Sequence, residues 1–172
     1  AVEYQRGRAR AVAHFDAGFF GCRIEILHEA GAAARDFDRQ AAEKFPLAGV
    51  VLVSTPQSLA VIDVVKSIDC FAKLKIPILG LIQNMSYLEE AGEKKFIFGR
   101  DGANKLAEKM GIKFLGEVPL HMDIRALSDA GTPVVAKEPQ GPHAKLFANI
   151  ATAVKTRLEG GVVRQGPKIV IE

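Results

Sequence analysis

From residue 46 onward the chain switches repeatedly between unbroken apolar runs and runs with helical spacing. Residues 50–53 (VVLV) are apolar without interruption, bounded by Gly49 on one side and by Ser54, Thr55 and Pro56 on the other. A run with no polar alternation reads as a strand buried on both faces, the mark of an inner strand in a parallel sheet. A helix is expected over about 57–74, with Leu59, Ile62, Val65 and Ile68 on one side and Val61, Val64 and Phe71 close by. Ser54 or Thr55 is positioned to cap it, and Pro56 suits a first turn that needs no N–H. Apolar residues around so much of the circumference predict a helix covered on more than one side. Residues 76–82 (IPILGLI) predict a second buried strand, completing a β–α–β unit with a right-handed crossover.

The pattern then repeats. Residues 87–95 (YLEEAGEKK) are polar around Gly92 and read as an exposed hairpin or loop closed by Phe96, Ile97 and Phe98. Asp101 precedes a short helix in which Ala103, Leu106, Ala107 and Met110 share a face, and Gly111 ends it. A third strand is expected over 114–118 (FLGEV), then a helix over 124–130 capped by Asp123 and stopped by Gly131 and Pro133. Pro142 opens the last helix, striped by Phe147, Ile150, Val154 and Leu158. Beyond Gly160 and Gly161, residues 168–171 (KIVI) form a candidate edge strand. The expected architecture is α/β, a doubly wound parallel sheet with helices on both faces.

Residues 1–44 differ in style, and composition shows it. They hold six Arg and one Lys, against four Arg and twelve Lys in 45–172, and eleven of the 44 are Ala. Neither period persists there. The organisation expected is an atypical segment at 1–44, an α/β domain at 45–160 and a tail at 161–172. An extension, a transit-type leader and an out-of-frame stretch all remain open readings of 1–44.

Composition narrows the function classes. A net charge of +3 with no Lys/Arg cluster longer than two residues, two Tyr and no Trp, does not point to nucleic acid. No apolar run approaches the ~20 residues of a membrane span. Cys22 and Cys70 form no CxxC and no disulfide framework, so a cytoplasmic protein is expected. His14, His28, His121 and His143 are scattered, without metal-ligand spacing, and Glu89, Glu90 and Glu93 read as a solvated face. No GxSxG elbow occurs. What remains is three strand ends, 54–57, 84–86 and 119–123, which a parallel sheet gathers on one carboxyl edge. Asn84 there can donate and accept, as the edge of an adenine requires, or can serve its own loop backbone. The phosphate-binding pattern GxxxxGK[ST] does not occur in the sequence.

Read together, VLVSTPQSLAVIDVVKSIDCFAKLKIPILGLIQNMSYL and FIFGRDGANKLAEKMGIKFLGEVPLHMDIRALSDAGTPVV resemble the Mrp family of iron–sulfur cluster carrier ATPases, in the MinD/ParA-like branch of P-loop NTPases. The resemblance covers about 46–158, and rests on NMSY, IFG with GA and KLAE, LGEVPL and SDAGTPVV in order. It implies an incomplete P-loop NTPase-like domain that dimerises with nucleotide at the interface. It also implies ATP with Mg²⁺ as cofactor, an iron–sulfur cluster as cargo, and client apoproteins as partners. By the same resemblance Asn84 contacts adenine, Pro119 and Leu120 lie against the base, and Thr55 and Gln57, in the segment from Ser54, lie near the nucleotide and the dimer partner. Three departures accompany it. The Gly-rich loop that holds phosphate and Mg²⁺ is missing. The stretch that precedes PLAGVV in the family is replaced by HEAGAAARDFDRQAAEK, which puts the limit of the resemblance near Lys44. The family's CxxC between NMSY and IFG is absent, so the usual thiolate ligands of a cluster are not at 88–95.

The expected function is therefore a cluster carrier of this family in truncated or degenerate form, with no catalytic residues of its own. It would be unable to hydrolyse ATP alone and would bind it more weakly than millimolar, above about −4 kcal/mol. A homodimer or a partner-completed assembly is expected, with neither nucleic acid nor membrane. The alternatives are a non-catalytic interaction module and a MinD/ParA-like partitioning ATPase.

Overall fold

The computed structural model describes residues 23–27, 47–90 and 92–162, with side chains for 48–90 and 92–160. Its centre is a sheet of four parallel strands in the order β1 (Arg23–Leu27), β2 (Leu47–Ser54), β3 (Ile78–Gln83), β6 (Phe114–Glu117). Val51 pairs with Gly80 and Val53 with Ile82 across β2 and β3, and Ile82 pairs with Gly116 across β3 and β6. Because successive residues of a strand face opposite sides, the run VVLV divides its burial between two cores. Val50 and Leu52 meet Leu81 and the inner faces of α1 (Ser58–Lys73) and α2 (Gly102–Met110), through Val64, Ile68, Phe71 and Leu106. Val51 and Val53 meet Leu79, Ile82, Leu115 and Val118 on the opposite side. There α5 (Pro142–Arg157) closes the core with Ile150 and Val154. The expected doubly wound sheet, helices on both faces, is what the chain forms.

Between β3 and α2 lies an antiparallel hairpin, β4 (Leu88–Glu90) with β5 (Glu93–Lys95), where the polar run around Gly92 predicts one. Two short helices, α3 (Met122–Asp129) and α4 (Val134–Lys137), lead from β6 to α5. Pro142 stands in the first turn of α5, and Gly111 ends α2 with φ +65°.

Several local expectations are corrected. β1 was not legible in the Ala- and Arg-rich segment, yet Arg23–Leu27 runs parallel to β2 and makes it an inner strand. Helix α1 begins at Ser58 with Gln57 as its N-cap and no side-chain cap bond, so neither Ser54 nor Thr55 caps it. Pro56 stands outside its first turn. Its buried line is Val64, Ile68 and Phe71, whereas Leu59 and Ile62 are 75% and 52% exposed. In α3 the cap is His121, whose Nδ1 accepts the Asp123 backbone N–H at 3.2 Å. Asp123 is inside the helix, and its backbone rather than its carboxylate makes that bond. The candidate strand at 168–171 lies outside the described residues, as does Cys22.

Candidate functional site

Parallel pairing brings the carboxyl ends of β2, β3 and β6 side by side, and backbone bonds continue past the strands to fasten the loops together. Asn84 N–H donates to the Ser54 carbonyl at 2.7 Å, tying the end of β3 to that of β2. On the other side, Val118 N–H donates to the Gln83 carbonyl at 2.8 Å and Ser86 N–H to the Val118 carbonyl at 3.0 Å. Leu120 N–H donates to the Tyr87 carbonyl at 2.8 Å, and Leu120 forms a parallel bridge with Leu88. Asn84 therefore stands between the β2 corner and the loop after β6.

The five residues singled out in the sequence occupy this edge. Thr55 is buried, and its hydroxyl donates to Gln57 Oε1 at 2.6 Å, which holds the exposed Gln57 side chain back over the corner. Ser54, fully buried, donates its hydroxyl to the Thr55 carbonyl at 3.0 Å. Asn84 is half-buried, and its Oδ1 accepts the Met85 N–H at 2.9 Å. That bond shares a turn in which Met85 adopts φ +53°, a left-handed conformation uncommon for a side chain of this size. Pro119 is buried and Leu120 half-buried in the loop that runs into His121. The His121 ring lies 4.3 Å from that of His143 at the start of α5, tilted by 51°.

Beneath Asn84 is a network that sequence reasoning missed. Gln83 ends an apolar strand and is 1% exposed. Its Oε1 accepts the Ala103 N–H in the first turn of α2 at 3.1 Å, and its Nε2 donates to Ser86 Oγ at 3.1 Å. The Ser86 hydroxyl in turn donates to the Gln83 carbonyl at 2.9 Å. The available signal was the glutamine itself, a polar residue on a strand otherwise free of them. Gly102 was missed as well, although it stands beside the β2 corner with its α-carbon turned toward the Pro56 carbonyl.

The hairpin is fastened differently. Tyr87 and Phe96 meet edge-on, with centroids 6.3 Å apart and planes at 61°. Lys94 Nζ sits 3.9 Å from the Tyr87 ring centre and 3.9 Å from a Glu117 carboxylate oxygen. Arg100 covers Phe96 at 4.0 Å, and Lys95 pairs with Glu90. Among the described residues no three His, Cys, Asp or Glu side chains converge as a metal site, and Cys70 is half-buried on α1, away from this hairpin in sequence. The edge offers neutral hydrogen-bonding side chains at Thr55, Gln57 and Asn84, and among the described residues no carboxylate or thiolate cluster accompanies them to hold Mg²⁺ or an iron–sulfur cluster. Among the described residues no helix is long and apolar enough to cross a membrane.

A parallel sheet covered on both faces, with its polar groups gathered at the carboxyl edge, defines a doubly wound α/β domain of the kind that binds ligands at that edge. Comparison with known proteins narrows the class. Residues 34–155 match the family model described as ParA, NUBPL iron-transfer P-loop NTPase. Among relatives, the iron–sulfur cluster transfer protein NUBPL of Dictyostelium discoideum is 45% identical over 119 residues. That alignment takes in 68% of this chain and 37% of the relative. The iron–sulfur cluster carrier protein of Haemophilus influenzae is 39% identical over 132 residues, 74% of this chain and 36% of the relative. Among solved structures, the nucleotide-binding protein of Archaeoglobus fulgidus in complex with ADP is 34% identical with a TM-score of 0.53. It covers 68% of this chain and 46% of that one. The MinD cell division ATPase of Pyrococcus furiosus, 23% identical with a TM-score of 0.51, shares the fold; the match covers 63% of this chain and 43% of that one.

The chain belongs to the ParA family of P-loop NTPases, in the branch of NUBPL-type iron–sulfur cluster carriers. It spans little more than a third of the length of the relatives named above. The family match reaches back to residue 34, ahead of the limit near Lys44 at which the motif resemblance stops.

Proposed function

We propose that this chain supplies the base-holding side of an ATP-dependent iron–sulfur cluster carrier. The observation that carries the reading is Asn84, bonded through its backbone to Ser54 and next to Gln83, whose carbonyl receives Val118 N–H. Its side-chain amide recognises the adenine edge, the Pro119–Leu120 loop lies against the base, and Thr55 with Gln57 lies near the nucleotide and a second subunit. Bound MgATP would supply the driving force of the switch; these residues hold and orient the base. Phosphate and Mg²⁺ require a Gly-rich loop that this sequence does not contain, so the chain by itself does not hydrolyse ATP. A second copy or a partner completes the site, the cluster is cargo handed to client apoproteins, and the compartment is the cytoplasm.

The test compares AMP with ATP by calorimetry or NMR titration of the purified chain. A site that holds only the base gains little from extra phosphates. The expected dissociation constants therefore lie above ~1 mM and within about threefold of each other. Micromolar ATP binding, or phosphate release by the purified chain, refutes the reading.

A second reading, a non-catalytic interaction module, is favoured by one observation: Leu59 and Ile62, one turn apart on α1, are largely exposed. Light scattering decides it. A monodisperse monomer at 100-fold different concentrations argues against a module that depends on association.

A further inference from the structure

Gln83 is a buried polar side chain at the site whose amide is bonded at both ends. We propose that Gln83 is a positioning residue that fixes the Asn84–Met85 turn against the first turn of α2. Adenine recognition then depends on the contact between Gln83 and Ala103. The proposal rests on the reading of Asn84 as the adenine contact, and extends it to a residue that never touches the base.

The geometry supports this in three steps. First, Gln83 is 1% exposed, and both ends of its amide are engaged by different parts of the chain. Oε1 receives Ala103 N–H from a helix twenty residues away, and Nε2 reaches Ser86 on the far side of the turn. Second, Ser86 closes the loop on itself, since its hydroxyl donates to the Gln83 carbonyl and its N–H to Val118. Residues 84 and 85 are thus spanned by a ring of bonds whose two feet are Gln83 and Ser86. Third, Met85 within that span holds φ +53°, a conformation that a free tetrapeptide would leave for a more favourable one. The surrounding bonds must hold it, and through it the direction of the Asn84 side chain.

The side-chain chemistry also specifies what position 83 tolerates. An apolar residue of similar size, as in Gln83→Leu, leaves the Ala103 N–H without its acceptor and removes the donor to Ser86 Oγ in a dry site, while the Ser86 bond to the carbonyl of residue 83 remains. Gln83→Glu keeps both contacts as a neutral acid, accepting from Ala103 N–H and donating to Ser86 Oγ as the amide does. As a carboxylate it still accepts from Ala103 N–H, but it has no proton to give Ser86, whose own hydroxyl proton is engaged by the carbonyl of residue 83.

The experiment uses ¹H–¹⁵N spectra of the whole chain, with AMP and GMP as probes, for the unsubstituted protein, Gln83→Leu, Gln83→Glu and the milder Ser86→Ala. In the unsubstituted protein AMP shifts the Met85 and Leu120 amide signals and GMP shifts them at least threefold less. Gln83→Leu is expected to speed amide exchange at Ala103 by at least tenfold and to cut the AMP response at Met85 by at least fivefold. The signals of Val51 and Leu81 stay in place, and Gln83→Glu, read toward acid pH where the side chain is neutral, restores both readouts to within about twofold. If Gln83→Leu does not fold, Ser86→Ala carries the test, with a loss of AMP over GMP preference expected while Ala103 stays protected. An unchanged AMP preference in a folded Gln83→Leu or Ser86→Ala variant, or failure of Gln83→Glu to rescue, overturns the positioning role. Absence of any AMP response in the unsubstituted protein overturns the adenine reading instead, and with it the dependence proposed here; the Ala103 exchange rates then still report whether the Gln83 contact exists.

Discussion

Gly102 opens α2 beside the β2 corner, and substituting it by alanine sets two effects of opposite sign against each other. Its φ is not in the left-handed region, so alanine meets no conformational objection there. Helix propensity alone would favour Gly102→Ala by up to about 1 kcal/mol, less in a first turn than in an interior. Space opposes it. A methyl carbon at this position would overlap the Pro56 carbonyl oxygen and lie 2.9 Å from the Pro56 carbonyl carbon and 3.2 Å from its Cα. Carbon atoms in contact sit ~3.5–4.0 Å apart, and all three crowded atoms are backbone, which no rotamer change removes. Either the β2 corner or the start of α2 must move by roughly 0.5–1 Å. The helix is held by the bond from Ala103 N–H to Gln83, so the shift loads that bond as well. Overpacking of this kind costs about 1–3 kcal/mol. The expected net loss is about 1–2 kcal/mol, a fall of roughly 2–8 °C in Tm at ~2–4 °C per kcal/mol for a chain of this size. Urea titration of three variants isolates the cause. Gly111→Ala has open space but φ +65°, and should lose about 1–2 kcal/mol for backbone reasons alone. Gly160→Ala has open space and no positive φ, and should stay within about 0.5 kcal/mol of the parent. A Gly102→Ala protein as stable as its parent would refute the argument that contact with Pro56, rather than flexibility, selects glycine here.

Four further outcomes are expected. Leu81→Ala removes a fully buried side chain from the middle of the sheet and should cost about 2–5 kcal/mol, read from the urea midpoint. His121→Ala should lose about 1 kcal/mol and speed exchange of the Asp123 amide, whereas Asp123→Ala, which keeps the backbone donor, should not speed it. Tyr87→Leu removes both the edge-on contact with Phe96 and the seat of Lys94, and should loosen the hairpin by about 1 kcal/mol without moving the signals of β2. Gly102→Ala and Gln83→Leu together should depart from additivity by about 0.5–3 kcal/mol, because both act on the first turn of α2; strictly additive losses would show that the two contacts are independent.

Which features were legible in the sequence follows from what each period can carry. Residues 50–53 could be read as an inner strand because burial on both faces removes every polar residue, and Val50 and Val51 are indeed inaccessible. The hairpin was legible from a glycine between short polar runs, and the last helix from Pro142 and its apolar stripe. The edge as a meeting place of Ser54, Asn84 and Pro119 followed from parallel topology alone. Side-chain direction did not. Thr55 has the chemistry of an N-cap, but its hydroxyl turns to Gln57 because the helix starts two residues later than the Pro56 signal implies. Asp123 has the composition of a cap, yet the helix begins at Met122, so Asp123 lies inside it and the His121 imidazole accepts the Asp123 N–H. In α1 too many apolar residues compete for the inner face, and periodicity does not choose between Ile62 and Val64. β1 carries alternating charge, RIEIL, in a region with no sustained period, and only its pairing with β2 marks it as a strand.

One helix therefore joins parts of the site that the sequence keeps far apart. The start of α2 touches Pro56 after β2 through Gly102, and binds Gln83 at the end of β3 through Ala103. The same β3 end is bonded to Ser54 and to Val118, so corner, turn and loop share a single support. A displacement of α2 cannot be taken up by one of these contacts alone: withdrawing from Pro56 pulls on Gln83, and releasing Gln83 frees the turn that carries Asn84. The hairpin enters this arrangement at both ends, since Tyr87 follows Ser86 and accepts from Leu120, while Phe96 and Arg100 lead directly into α2. The hairpin at 88–95 holds no cysteine, and the path between the Asn84 turn and the hairpin does not need one, because it is built from backbone bonds, one buried amide and a glycine.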